Sequence, residues 1–371
     1  MKPLPALLIL AACSRELAPP SYTVSSFGHS ALESRLVRSS AASEAANHTT
    51  PWSDSTRRND TTYYSRGRVL TTVEVLTDSM WSAAPPPPRV TLGLASGPFN
   101  LPPDSLCTLG YTATTLTVRD TRVLRDLQRT RECGARTFAQ IGRSKLKDST
   151  GKLSVQAARA DLDTWPWPGL CGRVQDSTII AFYIGDDVEA AEWGPAKLPV
   201  RLAQWDTIAG IIQSRCPGAP VAIRAHPNQL EARGPWLWLT TAWTQYTNRR
   251  GPPEEFLALQ VASAKRQRLG LVAGVNLLNG GCGPAERRKC FPDIPGTALV
   301  GTGPGLYQLS AAELVYYKTV ALSEPYVCAS VDWSWGPAFR SGFHERPEIR
   351  GAVKVLGLIA RRRPLSSCIQ G

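Results

Sequence analysis

Ile179, Ile180, Ala181, Phe182, Tyr183 and Ile184 form an apolar run interrupted only by one phenolic hydroxyl, and it stops at Gly185, Asp186 and Asp187. With no polar face, the run fits a strand covered on both sides, as parallel strands beneath helices are. Two adjacent carboxylates at its end would each lose water and repel the other, so packing alone does not explain them. At the carboxyl end of a parallel strand they face the region where α/β barrels and open α/β sheets hold ligands. The competing reading is a helix cap, a position that aspartate favours.

The rest of the chain repeats the same unit. Strand patterns at 90–94, 136–141, 179–184, 221–224, 239–246, 271–276 and 326–333 alternate with helix patterns at 120–134, 154–165, 198–215, 252–269, 310–322 and 347–361. Regular alternation of this length leaves a closed barrel or an open doubly wound sheet. No G-x-G-x-x-G follows the first strand, and neither a P-loop nor a G-x-S-x-G elbow occurs. The expected fold is therefore an α/β (β/α)8 TIM barrel over residues 89–371, close to the usual length of that fold. Its eighth strand is expected either between 94 and 120 or at 69–76.

The segment before the barrel reads differently. Lys2 precedes a short apolar run ending at Leu10, Ala11, Ala12 and Cys13, too short to span a bilayer and suited to a secretory signal over 1–12. The four residues ending in Cys13 resemble a bacterial lipobox, which implies lipidation of that cysteine and a membrane anchor. Ser14 at the following position favours the outer membrane of a bacterial envelope. Residues 13–88 are expected to form a flexible tether with a short strand at 69–76 and a polyproline spacer at 85–88.

Removing Cys13 leaves eight of the nine cysteines, an even number in an oxidising compartment, which suggests disulfides. Cys282 and Cys290 bracket a polar loop that they could close. Cys328 on a late strand and Cys368 near the terminus could tie the last helix to the barrel. With no C-x-x-C pair and scattered histidines, neither a metal nor a cofactor is expected. The net charge of +12 is spread along the chain. Its one dense run, at 361–363, suits a helix C-terminus, so no nucleic-acid partner is expected.

Strand ends in a barrel collect the active groups. They supply Asp186 and Asp187, Arg224 with His226, Trp243, Gln245 and Tyr246, Asn276, and Asp332 with Trp333. Indoles stack on the apolar faces of sugar rings, while amides and carboxylates bind their hydroxyls. Glycoside cleavage needs a carboxylic acid and a second carboxylate. Asp186 or Asp187, its pKa raised by the neighbouring charge, is the expected acid, with Asp332 or Glu189 as the second group. Arg224, Trp243, Gln245, Tyr246, Asn276 and Trp333 are the expected binding residues. Each also has a structural reading: Arg224 as an ion-pair partner, the tryptophans as core, and Asn276 as a turn former.

The segments Phe182 to Asp187, Ala242 to Tyr246, Gly274 to Asn276 and Val331 to Trp333 together resemble glycoside-hydrolase-type TIM barrels of exported bacterial proteins, over about 89–365. Such enzymes commonly carry glutamates at the ends of the fourth and seventh strands. Here aspartates stand at the first of these places, and Asn276 or Asn279 at the second. The resemblance implies a monomeric envelope lipoprotein acting on an oligo- or polysaccharide, with an acidic glycan among the options. The alternative is a degenerate hydrolase that binds its glycan without cutting it.

Overall fold

The computed structural model describes residues 93–283, 307–333, 343, 346–364 and 368, together with the backbone of a few further strands. Eight parallel strands form the barrel: β1 Ala95–Pro98, β2 Ala113–Thr117, β3 Arg136–Gln140, β4 Ile179–Asp186, β5 Val221–Arg224, β6 Thr241–Tyr246, β7 Gly270–Val275 and β8 Val327–Asp332. They are hydrogen-bonded in the order β1-β8-β7-β6-β5-β4-β3-β2. The remaining gap is narrowed by the Thr112 N–H, which donates to the Ser96 carbonyl at 2.8 Å. A Cβ on Gly97 would lie 1.9 Å from the Ala113 carbonyl oxygen, so only glycine permits this approach of β1 to β2.

The missing strand is β2, inside the segment between 94 and 120. The first strand also begins later than expected. The Leu94 N–H is taken by the Ala360 carbonyl at 2.8 Å, and the ladder starts only at Ala95, opposite Ala329.

Helices follow each strand: α1 Pro103–Leu109, α2 Arg122–Glu132, α3 Val155–Leu162, α4 Trp167–Gln175, α5 Leu198–Arg215, α6 Pro227–Leu230, α7 Pro253–Arg266, α8 Ala311–Ser323 and α9 Pro347–Arg362. Sequence periodicity located α5 at its full length. It missed α1, α4 and α6, of which α1 and α6 are too short to show a repeating apolar face.

Successive side chains of a strand point to opposite faces, so each barrel strand sends alternate residues into the lumen and toward the helices. Phe138, Tyr183, Ala222, Trp243, Val272 and Val331 share the lumen cluster. Ala139, Phe182, Ile184, Ile223 and Ala242 pack outward against α3–α5, with Trp205 and Ile208 among their neighbours.

Three disulfides brace the scaffold, with Cα–Cα distances of 5.0 Å for Cys107–Cys133, 5.6 Å for Cys171–Cys216 and 5.2 Å for Cys328–Cys368. The last pair was foreseen, but its effect is more specific than tying down a helix. The Cys368 carbonyl accepts from Thr241 Oγ1 at 2.6 Å, at the first residue of β6, so Cys368 sits at the bottom of the lumen. Cys282 is also disulfide-bonded. Cys290, Cys13 and residues 1–12 lie outside the described residues. Within 13–88, the backbone of 37–38, 48–51, 57–65 and 68–75 pairs as an antiparallel four-stranded sheet, and its last strand covers most of 69–76.

Candidate functional site

Strand parity decides which of the expected residues meet. On β6, Trp243 and Gln245 point inward and Tyr246 outward. The Tyr246 hydroxyl donates to the Gly251 carbonyl at 2.6 Å, and its ring packs on Phe256 and Tyr317 in the helix layer. Tyr246 is therefore not a binding residue of the lumen.

On β8 the same rule turns Val331 inward and Asp332 outward. There Asp332 is 1% exposed, 2.9 Å from Lys318 Nζ of α8, and accepts the Val275 N–H at 3.0 Å. The expected second carboxylate is thus a buried partner of a buried lysine. Burial raises its pKa above the usual carboxylate range, against the pull of Lys318. The same burial lowers the ammonium of Lys318.

Simple alternation would also turn Asp186 outward. It does not, because the register of β4 against β5 slips between Tyr183 and Gly185. Ile184 packs outward, and a Cβ on Gly185 would meet the Trp205 ring at 2.5 Å, so two consecutive residues face the helices. This bulge re-aims Asp186 toward the lumen side, as bulges at barrel rims do.

There Asp186, 6% exposed, takes Arg224 Nη2 on one oxygen at 3.0 Å and Arg143 Nη1 on the other at 3.1 Å. The same Arg224 nitrogen lies 3.2 Å from Asp187, whose side chain is half exposed and whose backbone sits at φ 47°. The repulsion expected between the two aspartates is thus met by a guanidinium shared between them. Trp193 fixes the turn, its indole N–H donating to the Asp186 and Asp187 carbonyls at 3.0 and 3.1 Å. Arg143 stacks over the Trp193 ring at 5.0 Å and also pairs with Glu192.

Arg224 is the hub. Its Nη1 donates to Gln245 Oε1 at 3.2 Å, and its guanidinium lies 4.2 Å from the centre of the Trp333 ring. Trp333 packs on Phe99 at 5.3 Å, and Phe99 on Tyr183 at 5.5 Å. Burial, then the Asp186 charge, pushes the Tyr183 hydroxyl well above its usual range, so it stays protonated.

Trp243 lies beneath this layer. It is 1% exposed, its N–H is spent on the Val331 carbonyl at 2.9 Å, and it serves as the floor of the site, not as a stacking platform. Asn276 uses its side-chain oxygen to accept the Leu278 and Asn279 N–H groups at 3.1 Å, the turn reading of that residue. His226 contacts Thr244 Oγ1 at 2.6 Å. Burial, reinforced by Arg250 and Arg224, lowers its pKa to about 4, so it is neutral at pH 7.

A cavity of about 980 Å³ opens beside Asp186 at the carboxyl ends of β1–β4, with Trp333 also in its wall. Several of its walls were not expected. Gln140, the last inward residue of β3, donates through Nε2 to Asn100 Oδ1 at 2.9 Å and to Thr117 Oγ1 at 2.5 Å. Thr115 Oγ1 bonds Asn100 Oδ1 at 3.1 Å. Arg119, Arg143, Lys145 and Lys147 supply a cationic rim. Gln140 and Arg143 end a strand that the sequence did show, so the rule applied to the other strands would have found them. Asn100 and Thr117 depended on locating β1 and β2. A smaller cavity of about 220 Å³ on the other side of Arg224 holds Asp187, Glu189, His226, Gln245 and Arg250. Among the described residues no cluster of three or more His, Cys, Asp or Glu is placed to hold a metal ion.

No family model matches the chain, and no curated protein is similar to it. Solved structures that it resembles include glycoside hydrolases. The GH113 β-mannanase AaManA from Alicyclobacillus acidocaldarius is 10% identical, with a TM-score of 0.46 over 74% of this chain and 100% of that one. The exo-β-1,4-mannosidase Op5Man5 from Opitutaceae bacterium strain TAV5 is 11% identical, with a TM-score of 0.47 over 73% of this chain and 60% of that one. A GH18 chitinase from Pseudoalteromonas aurantia is 10% identical, with a TM-score of 0.41 over 71% and 99%. The likeness is one of barrel architecture, and no residue role is carried over from it.

Proposed function

We propose that the barrel binds a glycan in the large cleft at its carboxyl rim. One observation carries the reading: aromatic faces and amides converge in the same open cavity. Phe99 and Trp333 form an apolar wall suited to the face of a sugar ring. The Asn100–Gln140 amide pair lines the same cavity and, cross-linked through Thr115 and Thr117, is held in one geometry to meet hydroxyl groups. Asp186 serves this site as an anchor, since both its oxygens are spent on the guanidinium groups of Arg143 and Arg224. Calorimetric titration against a panel of oligosaccharides tests the proposal. Saturable binding that Trp333→Ala abolishes, with unfolding unchanged, is the expected result, and the absence of binding to any glycan would end it.

A hydrolytic reading is favoured by a separate observation. Asp187 is held at positive φ, half exposed, in the smaller cavity that also contains Glu189. Strained backbone of this kind concentrates at functional sites. In this reading Asp187 and Glu189 are the acid and the second carboxylate. Release of reducing sugar that is lost in Asp187→Asn supports cleavage. Unaltered release in that variant removes Asp187 from the chemistry.

The proposal extends to location: export, lipidation at Cys13 and attachment to the outer membrane. The three disulfides support an oxidising compartment. Metabolic labelling with a fatty-acid analogue, compared between the native chain and Cys13→Ala, checks the anchor.

A further inference from the structure

We infer that the ligand is an acidic polysaccharide bound as an extended chain that leaves the main cleft across β2, an inference that rests on the glycan-binding reading. A second cavity of about 400 Å³ adjoins the first, and Asn100, Thr117 and Arg119 line both. The larger cavity alone, at about 980 Å³, reaches the upper end of the range for sites that enclose one small molecule. Two such spaces sharing a wall form a groove, and a groove suits a chain whose units repeat.

Six cations and four carboxylates line this path, a positive excess of two. Arg143, Lys145 and Lys147 stand along the inner cavity, Arg119 at the seam, and Arg122 and Arg125 along the outer one. The acids beside them hold the cations in place. Asp186 and Glu192 grip Arg143, Glu192 also takes Lys147 at 2.9 Å, Asp120 receives Arg122 through both carboxylate oxygens at 2.9 and 2.6 Å, and Asp161 and Asp126 stand 3.8 and 3.9 Å from Lys145 and Arg125. Arg119 is exposed and makes no hydrogen bond or ion pair among the described residues. Its guanidinium keeps its paired N–H donors for a carboxylate or sulfate, whereas those of Arg122 and Arg143 are engaged by Asp120, Asp186 and Glu192. The amide pair of Asn100 and Gln140 sits where the two cavities meet, so each unit passing the seam offers its hydroxyls to amides and its acidic group to Arg119.

The test uses the full chain and two sets of probes: oligogalacturonates as di-, tetra- and octasaccharides, and neutral cello-oligosaccharides of the same lengths. The expected result is affinity that rises with length for the acidic series, exceeds that of the neutral series, and falls when salt is raised enough to screen charges beyond a few ångströms. Arg122→Ala with Arg125→Ala should weaken the octasaccharide roughly three- to tenfold and leave the disaccharide unchanged, as exposed charge pairs are individually weak. Arg119→Ala, at the seam, should weaken the tetrasaccharide and the octasaccharide alike. Equal affinity for neutral and acidic chains, or affinity independent of length, would overturn the inference while leaving glycan binding intact. Binding to neither series would also overturn the inference, while the wider oligosaccharide panel decides glycan binding itself.

Discussion

Lys318 Nζ stands 2.9 Å from Asp332 Oδ2, and both side chains are 1% exposed, in the layer between β8 and α8. The ammonium also donates to the Ser330 carbonyl at 3.2 Å and hydroxyl at 2.6 Å, so α8 is fastened to the barrel by one enclosed network. Removing one member of a buried pair leaves an uncompensated charge. Asp332→Ala is expected to cost about 3–5 kcal/mol of stability, measured by urea unfolding. The fraction that remains folded should bind glycan as before. A variant with normal stability but no binding would return Asp332 to the site.

The bulge at Gly185 makes a different prediction. A methyl group there collides with the Trp205 ring at 2.5 Å, and Trp205 is fully enclosed. Gly185→Ala should lose about 1–3 kcal/mol through overpacking. Because the bulge also aims Asp186, oligosaccharide affinity should fall in the folded protein too. Combining it with Trp205→Leu, which vacates the contact, should recover affinity more than stability.

Glu313 gives the stability a pH dependence. It caps α8 through Ser310 and accepts the Cys282 N–H at 2.9 Å, and burial holds its carboxyl at about 7 instead of 4.5. Below pH 4.5 both folded and unfolded chains are protonated, and the contribution is fully present. Between about 4.5 and 7 only the folded chain keeps the proton, so stability falls as pH rises, by on the order of 2–3 kcal/mol in total. Thermal melts across that window should show the slope, and Glu313→Gln should flatten it. An identical slope in both proteins would assign it elsewhere.

The Cys328–Cys368 bond spans a sequence separation of 40 and holds Cys368 under the lumen. Replacing both cysteines by alanine should cost roughly 2–4 kcal/mol. The lumen cluster, to which both cysteines belong, should then show faster amide exchange at the starts of β6 and β7. Protection unchanged there would mean that packing alone retains that position.

Strand order shows how far sequence reasoning carries. The sequence contained six of the eight barrel strands as largely apolar runs, because a strand covered on both faces leaves little room for polar side chains, while the run expected as the first strand, 90–94, ends just before β1, Ala95–Pro98. β2, Ala113–Thr117, was hidden because three of its five residues are threonines. Thr114 is fully enclosed, and its hydroxyl reaches the Leu101 carbonyl at 2.7 Å, a partner 13 residues away that only the fold brings near.

The candidate site divides along the same line. That Tyr246 and Asp332 face the helices follows from counting in twos along β6 and β8, so their exclusion was already present in the sequence. Asp186 shows the limit of such counting, since alternation places it outward and a one-residue slip against β5 places it inward. The sequence by itself determined the alternation of strands and helices, the parity within each strand and the acids at the end of β4. Only the tertiary structure decided the slip at Gly185, the sharing of Arg224 between Asp186 and Asp187, and the burial of Lys318 against Asp332. Those outcomes depend on contacts between residues far apart in the chain, where Trp205 or Lys318 competes for space and charge that no local pattern records.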